Sequence, residues 1–308
     1  MSAGGGGKAI VAALGANVAI AVAKLVGFAV TGSSSMLAEA VHSFADSGNQ
    51  VLLLVGGKRA SRDADERHPF GYGRDRYFYA FVVALVLFTL GSLFALYEGV
   101  SKIRHPHHLE TASVAVGILV FAILAESFSF KTAISEALPL KGSVSWGQYI
   151  RRSKSPELPV VLLEDFAALV GLVLALLGVI LTLVTGDAVW DGVGTLSIGL
   201  LLGFVAVVLA VEMKGLLIGE AASRESVDAI RSALVDGTTV LRVIHLKTMH
   251  LGPDELLVAA KIALPPGLTL PAVARAIDEA EARVRAVEPL ARQLYLEPDL
   301  DRDGVRTA

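Results

Sequence analysis

In EAVHSFADSGNQ, residues 39–50, a histidine and two acids stand inside a run whose flanks are small and apolar. His42 and Asp46 are four residues apart, so on a helix they lie one turn above one another on the same face. Imidazole nitrogen and carboxylate oxygen are both zinc ligands, and a tetrahedral zinc takes four donors. Two more must come from elsewhere. The stretch LLEDFAALVG supplies Glu164 and Asp165, which project about 100° apart on a helix, so one of the pair aims directly at a shared site. One imidazole with several carboxylate oxygens suits zinc and leaves manganese, iron(II) and cobalt open. With no cysteine in the chain, thiolate zinc sites, thiolate catalysis and disulfides are excluded.

Further polar residues accompany this set. Ionisable groups at membrane depth cost several kcal/mol and mostly line ion or proton paths. Glu126 in ILAESFSF is therefore a candidate for a proton path or a helix tie. Asn49 and Asn17 are candidates for orienting ligands from behind, and Glu39 for a proton path, pairing with Lys24 or capping. Asp65 and His68, three apart in DADERHPFGYGRDR, form a possible secondary metal site set against simple solvation. The imidazoles of HPHH, residues 105–108, suggest at most weak metal binding. His245 and His250 fall at odd separation in an expected strand and so project to opposite faces.

The elements that must carry these residues are set by hydropathy. The chain has 308 residues, 54% hydrophobic and 19% charged, with a mean hydropathy of +0.61, the composition of a polytopic α-helical membrane protein. A span needs about 20 apolar residues. Six segments qualify, approximately 9–30, 36–57, 78–100, 112–133, 159–184 and 189–213. The connections 58–76 and 134–157 concentrate Lys and Arg while TGSSS and TGDAVWD carry none, so both termini are expected in the cytoplasm. The N-terminal run shows no cleavage site, so a removed signal peptide is not expected. GGGGK lacks the spacing and the Ser or Thr of a phosphate loop.

After Gly219 the pattern becomes soluble. Residues 219–308 read as helix, two strands around Gly252-Pro253-Asp254, a long amphipathic helix starting near Thr269 and a last strand. This is a small α+β domain of αββαβ, ferredoxin-like order. The expected division is a six-helix transport domain over 1–218 and a cytoplasmic dimerisation domain over 219–308.

With SSSMLAEAVHSFADSGNQ, HPFGYGR and this organisation together, the chain resembles the cation diffusion facilitator family of metal exporters, in the branch that includes a divergent animal zinc transporter. The resemblance implies a homodimer and a four-ligand site shared by the second and fifth spans. It also implies divalent metal leaving the cytoplasm in exchange for protons, and by position it implicates His42, Asp46 and Asp165. Three differences stand out. The family's fifth span commonly has His-x3-Asp, whereas Val161 precedes Asp165 by four, which leaves Glu164 as the substitute. Tyr72 occupies the place of a second loop histidine. Ala260 and Tyr295 stand where the tail of other members holds metal-binding histidines.

The expected function is therefore a proton-coupled antiporter exporting a divalent cation, zinc first, by alternating access, and not an enzyme. The alternatives are a manganese, iron(II) or cobalt exporter, or a metal-binding sensor or scaffold without transport. Beyond the transported cation no cofactor is expected, and the composition gives no sign of nucleic-acid binding. The expected partners are lipid bilayer, protons, divalent metal and a second copy of the chain, with Arg74 and Glu220 or Glu212 as a pair clamping the protomers. The expected location is the cell (inner) membrane.

Overall fold

The computed structural model describes residues 7–31, 34–106 and 112–300, with the side chains of all of these except 7–13, 16, 31, 34–39, 42 and 112. The chain divides into two compact units, one of residues up to Arg62 with Asp75–Lys214, the other of Asp63–Arg74 with the chain from Gly215 onward.

The first unit is helical. It holds α1 (Gly7–Thr31), α2 (Ser34–Ala60), α3 (Asp75–Val86), a π-helical segment (Leu87–Leu93) and α4 (Phe94–Arg104). These are followed by α5 (Ala112–Lys141), α6 (Trp146–Arg152), α7 (Glu157–Thr185) and α8 (Val189–Ile218). Among the described residues, four helical segments are long and apolar enough to cross a membrane: Asp75–Arg104, Ser113–Lys141, Glu157–Thr185 and Val189–Ile218. Six were expected. The other two fall on α1 and α2, which include residues whose side chains lie outside those described; the described part of α1 holds a shorter apolar stretch, Asn17–Val30.

Local chemistry explains several boundaries. α5 runs on to Lys141, past the expected end of its span, with Pro139 inside its last turn. The short α6 was not foreseen. Its capping box joins Ser145 and Gln148 reciprocally, each side chain accepting from the other's backbone N–H. α7 ends at Gly186, whose φ of 71° is the left-handed cap a glycine adopts without a Cβ penalty.

Side chains of α1, α5 and α7 meet in a core of Ile20, Leu119, Ala122, Leu172 and Val179. The α4–α8 seam is closer, since a Cβ added at Gly199 would stand 2.8 Å from the Leu96 backbone nitrogen, and one at Gly99 would stand 2.6 Å from that of Leu196. Small residues let membrane helices approach in this way. In the π segment Ser92 donates to the Gly199 carbonyl at 2.8 Å. Lys102 and Asp191 pair at 2.9 Å, both largely buried.

The second unit is a three-stranded sheet with two helices, in the order α9 (Arg224–Leu234), β1 (Arg242–Gly252), β2 (Glu255–Leu264), α10 (Leu270–Val287) and β3 (Gln293–Leu300). β1 and β2 pair antiparallel around the 253–254 turn, while β3 returns parallel to β2 after α10, which gives the order β1-β2-β3. Alternate residues of β2 (Leu256, Val258, Ala260 and Ile262) face the core with Ile230, Leu234, Ala276, Ala280 and Val284, the period-two burial of a sheet covered on one face. The Ser223 side chain caps α9 by accepting from Ser226 N–H at 3.1 Å. Residues 63–74 pack in the same unit: a Cβ added at Gly73 would stand 2.8 Å from Leu251 O and 3.0 Å from Gly252 Cα, a backbone-on-backbone approach that only glycine permits.

Candidate metal centre

α2 and α7 bring three carboxylates together. Asp46 comes from α2, and Glu164 and Asp165 come from the first third of α7; each is at most 2% exposed. Asp46 lies within electrostatic reach of both Glu164 and Asp165 across the helix seam. Neighbouring amides and hydroxyls hold one oxygen of each α7 acid. Asn49, one turn beyond Asp46 on α2 and fully buried, donates Nδ2–H to Glu164 Oε1 at 2.8 Å. Ser129 of α5 donates its hydroxyl to Asp165 Oδ2 at 2.9 Å.

The second oxygens have no such support. Among the described residues, Glu164 Oε2, Asp165 Oδ1 and Asn49 Oδ1 are buried without a hydrogen-bond partner. Buried carboxylates in this number are costly unless a cation or protons neutralise them. The oxygens left over are ones a divalent cation accepts as ligands, so the donor set fits a transported cation. The carboxylates are adjacent but not already closed around one point. Among the described residues, no three His, Cys, Asp or Glu side chains form a ligating cluster. His42 lies one turn before Asp46 on α2, and its side chain, like that of Glu39, falls outside those described.

Residues 10–218 match the model of the cation efflux transmembrane domain. The chain belongs to the cation efflux family. It is 33% identical over 262 residues, 84% of its length and 46% of the relative's, to a protein of Xenopus laevis called "Proton-coupled zinc antiporter SLC30A9, mitochondrial". The Homo sapiens protein of the same name is 30% identical over 84% of this chain and 46% of its own length. Metal tolerance protein C4 of Arabidopsis thaliana is 30% identical over 83% of this chain and 56% of its own length. The chain thus spans about half the length of the curated relatives it matches. The matched residues are that family's transmembrane domain, and the chain is an integral, multi-pass membrane protein. The expected location in a cell (inner) membrane is overturned, because the frog and human relatives are both designated mitochondrial.

The remaining polar residues of this cation efflux chain divide between supporting and separate roles. Asn17 of α1, 3% exposed, donates to Gln50 at 3.2 Å, and Lys24 donates to Ser43 at 3.0 Å, so polar pairs tie α1 to the face of α2 that carries Asp46. Glu126 is buried one turn before Ser129 on α5. From sequence Ser129 was read only as a neighbour of Glu126, and Gln50 and Ser43 were not singled out; the signal available was polar spacing, since Ser43 lies three residues before Asp46 and Gln50 four after it.

Asp65 and His68 lie in the exposed 63–74 loop of the other unit. Asp65 Oδ2 accepts from Tyr72 O–H at 2.7 Å and Oδ1 from His68 N–H at 2.7 Å, while the His68 and Tyr72 rings stack with centroids 4.3 Å apart. The Tyr72 hydroxyl first, and the His68 N–H second, hold the Asp65 carboxyl below its ordinary range. Both of its oxygens therefore organise the loop. Arg74 Nη2 meets Met249 Sδ at 3.2 Å, and the Glu220 carbonyl accepts from His250 N–H at 2.9 Å. His250 is buried and His245 exposed.

Proposed function

We propose that the chain is a proton-coupled antiporter that exports a divalent cation, zinc first, through a site between α2 and α7. The observation that carries this reading is the group of three buried carboxylates, two of them with an oxygen that has no hydrogen-bond partner among the described residues. The names of the frog and human relatives support zinc and protons as the exchanged pair and a mitochondrial membrane as the location. α1 and α2 join the four longer helices as spans, giving six, with both termini on the side of the Lys- and Arg-rich connections. The tail pairs two copies as a homodimer.

In this reading His42, Asp46 and Asp165 ligate the cation and Glu164 supplies the donor that Val161 cannot. Asn49 orients Glu164 and Ser129 orients Asp165, while Glu126, Glu39 and Asn17 line the approach for protons. Ligands must be deprotonated to bind metal. When the site opens to the more acidic side, protons compete for the same oxygens and the cation leaves. One site then serves both ions and the proton gradient drives export.

Oxygen donors predominate in this set, and that favours manganese as the runner-up cargo, since carboxylate and carbonyl ligands suit the harder ion. The test is uptake by proteoliposomes of known orientation, following metal and proton fluxes together under a pH gradient. Zinc entry matched by proton exit supports the proposal. Manganese transported in preference to zinc would reassign the cargo, and metal binding without flux would make the chain a sensor or scaffold.

A further inference from the structure

The connection between α5 and α7 carries a charge imbalance that the transport site does not use. Between the flanking Glu136 and Glu157, residues 137–156, ALPLKGSVSWGQYIRRSKSP, contain Lys141, Arg151, Arg152 and Lys154 and no acid, in a chain whose net charge is −3. The other basic connection differs, because Asp63, Asp65, Glu66 and Asp75 are interleaved with its cations. Arg151 and Arg152 are exposed, and among the described residues neither is ion-paired. Lys141 lies over the Trp146 ring, its Nζ 5.2 Å from the centroid. Leu138, Leu140 and Trp146 are exposed beside these cations.

The location of the stretch follows from its neighbours. α5 and α7 are both long and apolar enough to cross the membrane, so the segment joining them emerges at the membrane–water boundary. Tryptophan favours the headgroup level there, and each Lys or Arg beside a span is drawn to anionic lipid with roughly fivefold enrichment. Arginine adds bidentate hydrogen bonding to phosphate. α6 brings these together, with Trp146 at its start, Arg151 and Arg152 at its end and Tyr149 buried between them.

We propose that residues 137–156 form a docking surface for the headgroups of anionic lipids, with Trp146 and Leu140 seated at the acyl boundary and Arg151 and Arg152 on headgroup phosphate. α7 begins immediately afterwards and carries Glu164 two turns in, so the bound lipid fixes the end of a helix that bears the carboxylate site. The proposal requires that the chain span a bilayer but is independent of which cation it carries.

The chain has two tryptophans, so Trp190→Phe leaves Trp146 as the sole fluorophore of the full-length protein. It is reconstituted in phosphatidylcholine vesicles containing a minority of phosphatidylglycerol, with bromine quenchers on the acyl chains of one lipid or the other. Brominated phosphatidylglycerol is expected to quench Trp146 severalfold more strongly than the same fraction of brominated phosphatidylcholine. Raising the salt and the substitutions R151Q/R152Q should remove the preference, while R151K/R152K, which keeps the charge, should retain it. Equal quenching by the two lipids, no quenching by either, or a preference unchanged in R151Q/R152Q would overturn the proposal. So would a Trp146 signal that responds to inorganic phosphate at constant ionic strength instead of to lipid charge.

Discussion

Asp65 shows how one residue type serves two purposes in this chain. In the loop, its carboxylate accepts from Tyr72 and His68, whereas in the helical unit one oxygen of Asp165 has no hydrogen-bond partner among the described residues. The first is structural and predicts a pH effect. Because its folded value is depressed, the ionised form stabilises the loop above the ordinary aspartate value of about 3.9. That contribution is lost as pH falls through the lower folded value. The protection of the His68 amide against hydrogen exchange, taken relative to the intrinsic rate at each pH, should therefore be high at neutral pH and fall in acid, and in Asp65→Asn it should already be lower at neutral pH. Unchanged exchange in the variant would remove Asp65 from that role. The expectation of a secondary metal site at Asp65 and His68 rested on their types, their three-residue spacing and the family resemblance. Spacing in sequence did not reveal that Tyr72, seven residues on, occupies the other oxygen.

At the scale of elements, hydropathy made the long helices legible because their apolar runs are continuous, and period-two burial did the same for β2. α2 was legible for a different reason: its His-x3-Asp pattern falls within a run of small residues. Features that depend on packing between distant elements could not be read in advance. These include the π segment, the reciprocal cap of α6, and the bonds that Ser129 and Asn49 make to acids 36 and 115 residues away. The α4–α8 seam provides the prediction at this scale. Gly199→Ala places a methyl group against the Leu96 backbone and side chain, and overpacking of this kind costs about 1–3 kcal/mol. A lowered thermal midpoint in detergent is expected for Gly199→Ala, with no comparable change for Gly117→Ala, where a Cβ meets nothing within 4 Å. Equal midpoints for the two variants would show that the seam yields without cost.

For the whole molecule, the two units answer different questions. Membership of the cation efflux family rests on residues 10–218, while the sheet unit, with its own core, takes in residues 63–74 as well. A boundary placed at 218 from hydropathy does not capture that loop, because its packing on the 251–252 backbone is a tertiary fact about Gly73. Six spans with the termini on one side predict a labelling pattern, and the absence of native cysteine makes it simple to read. Cysteines at Ser143 and Glu225 should react with an impermeant thiol reagent from one side of sealed vesicles, and those at Ser33 and Thr185 from the other. Ser33→Cys reacting from the same side as Ser143→Cys would show that α1 and α2 do not both cross.

The carboxylate site itself is tested most directly by zinc uptake under a pH gradient in proteoliposomes, comparing wild type with Asp46→Asn and Asp165→Asn. Each substitution keeps the side chain's size and removes one buried charge. If these oxygens carry the cation and exchange it for protons, both variants lose gradient-driven uptake while remaining folded in the membrane. Uptake at the wild-type rate in either variant would contradict a site between α2 and α7.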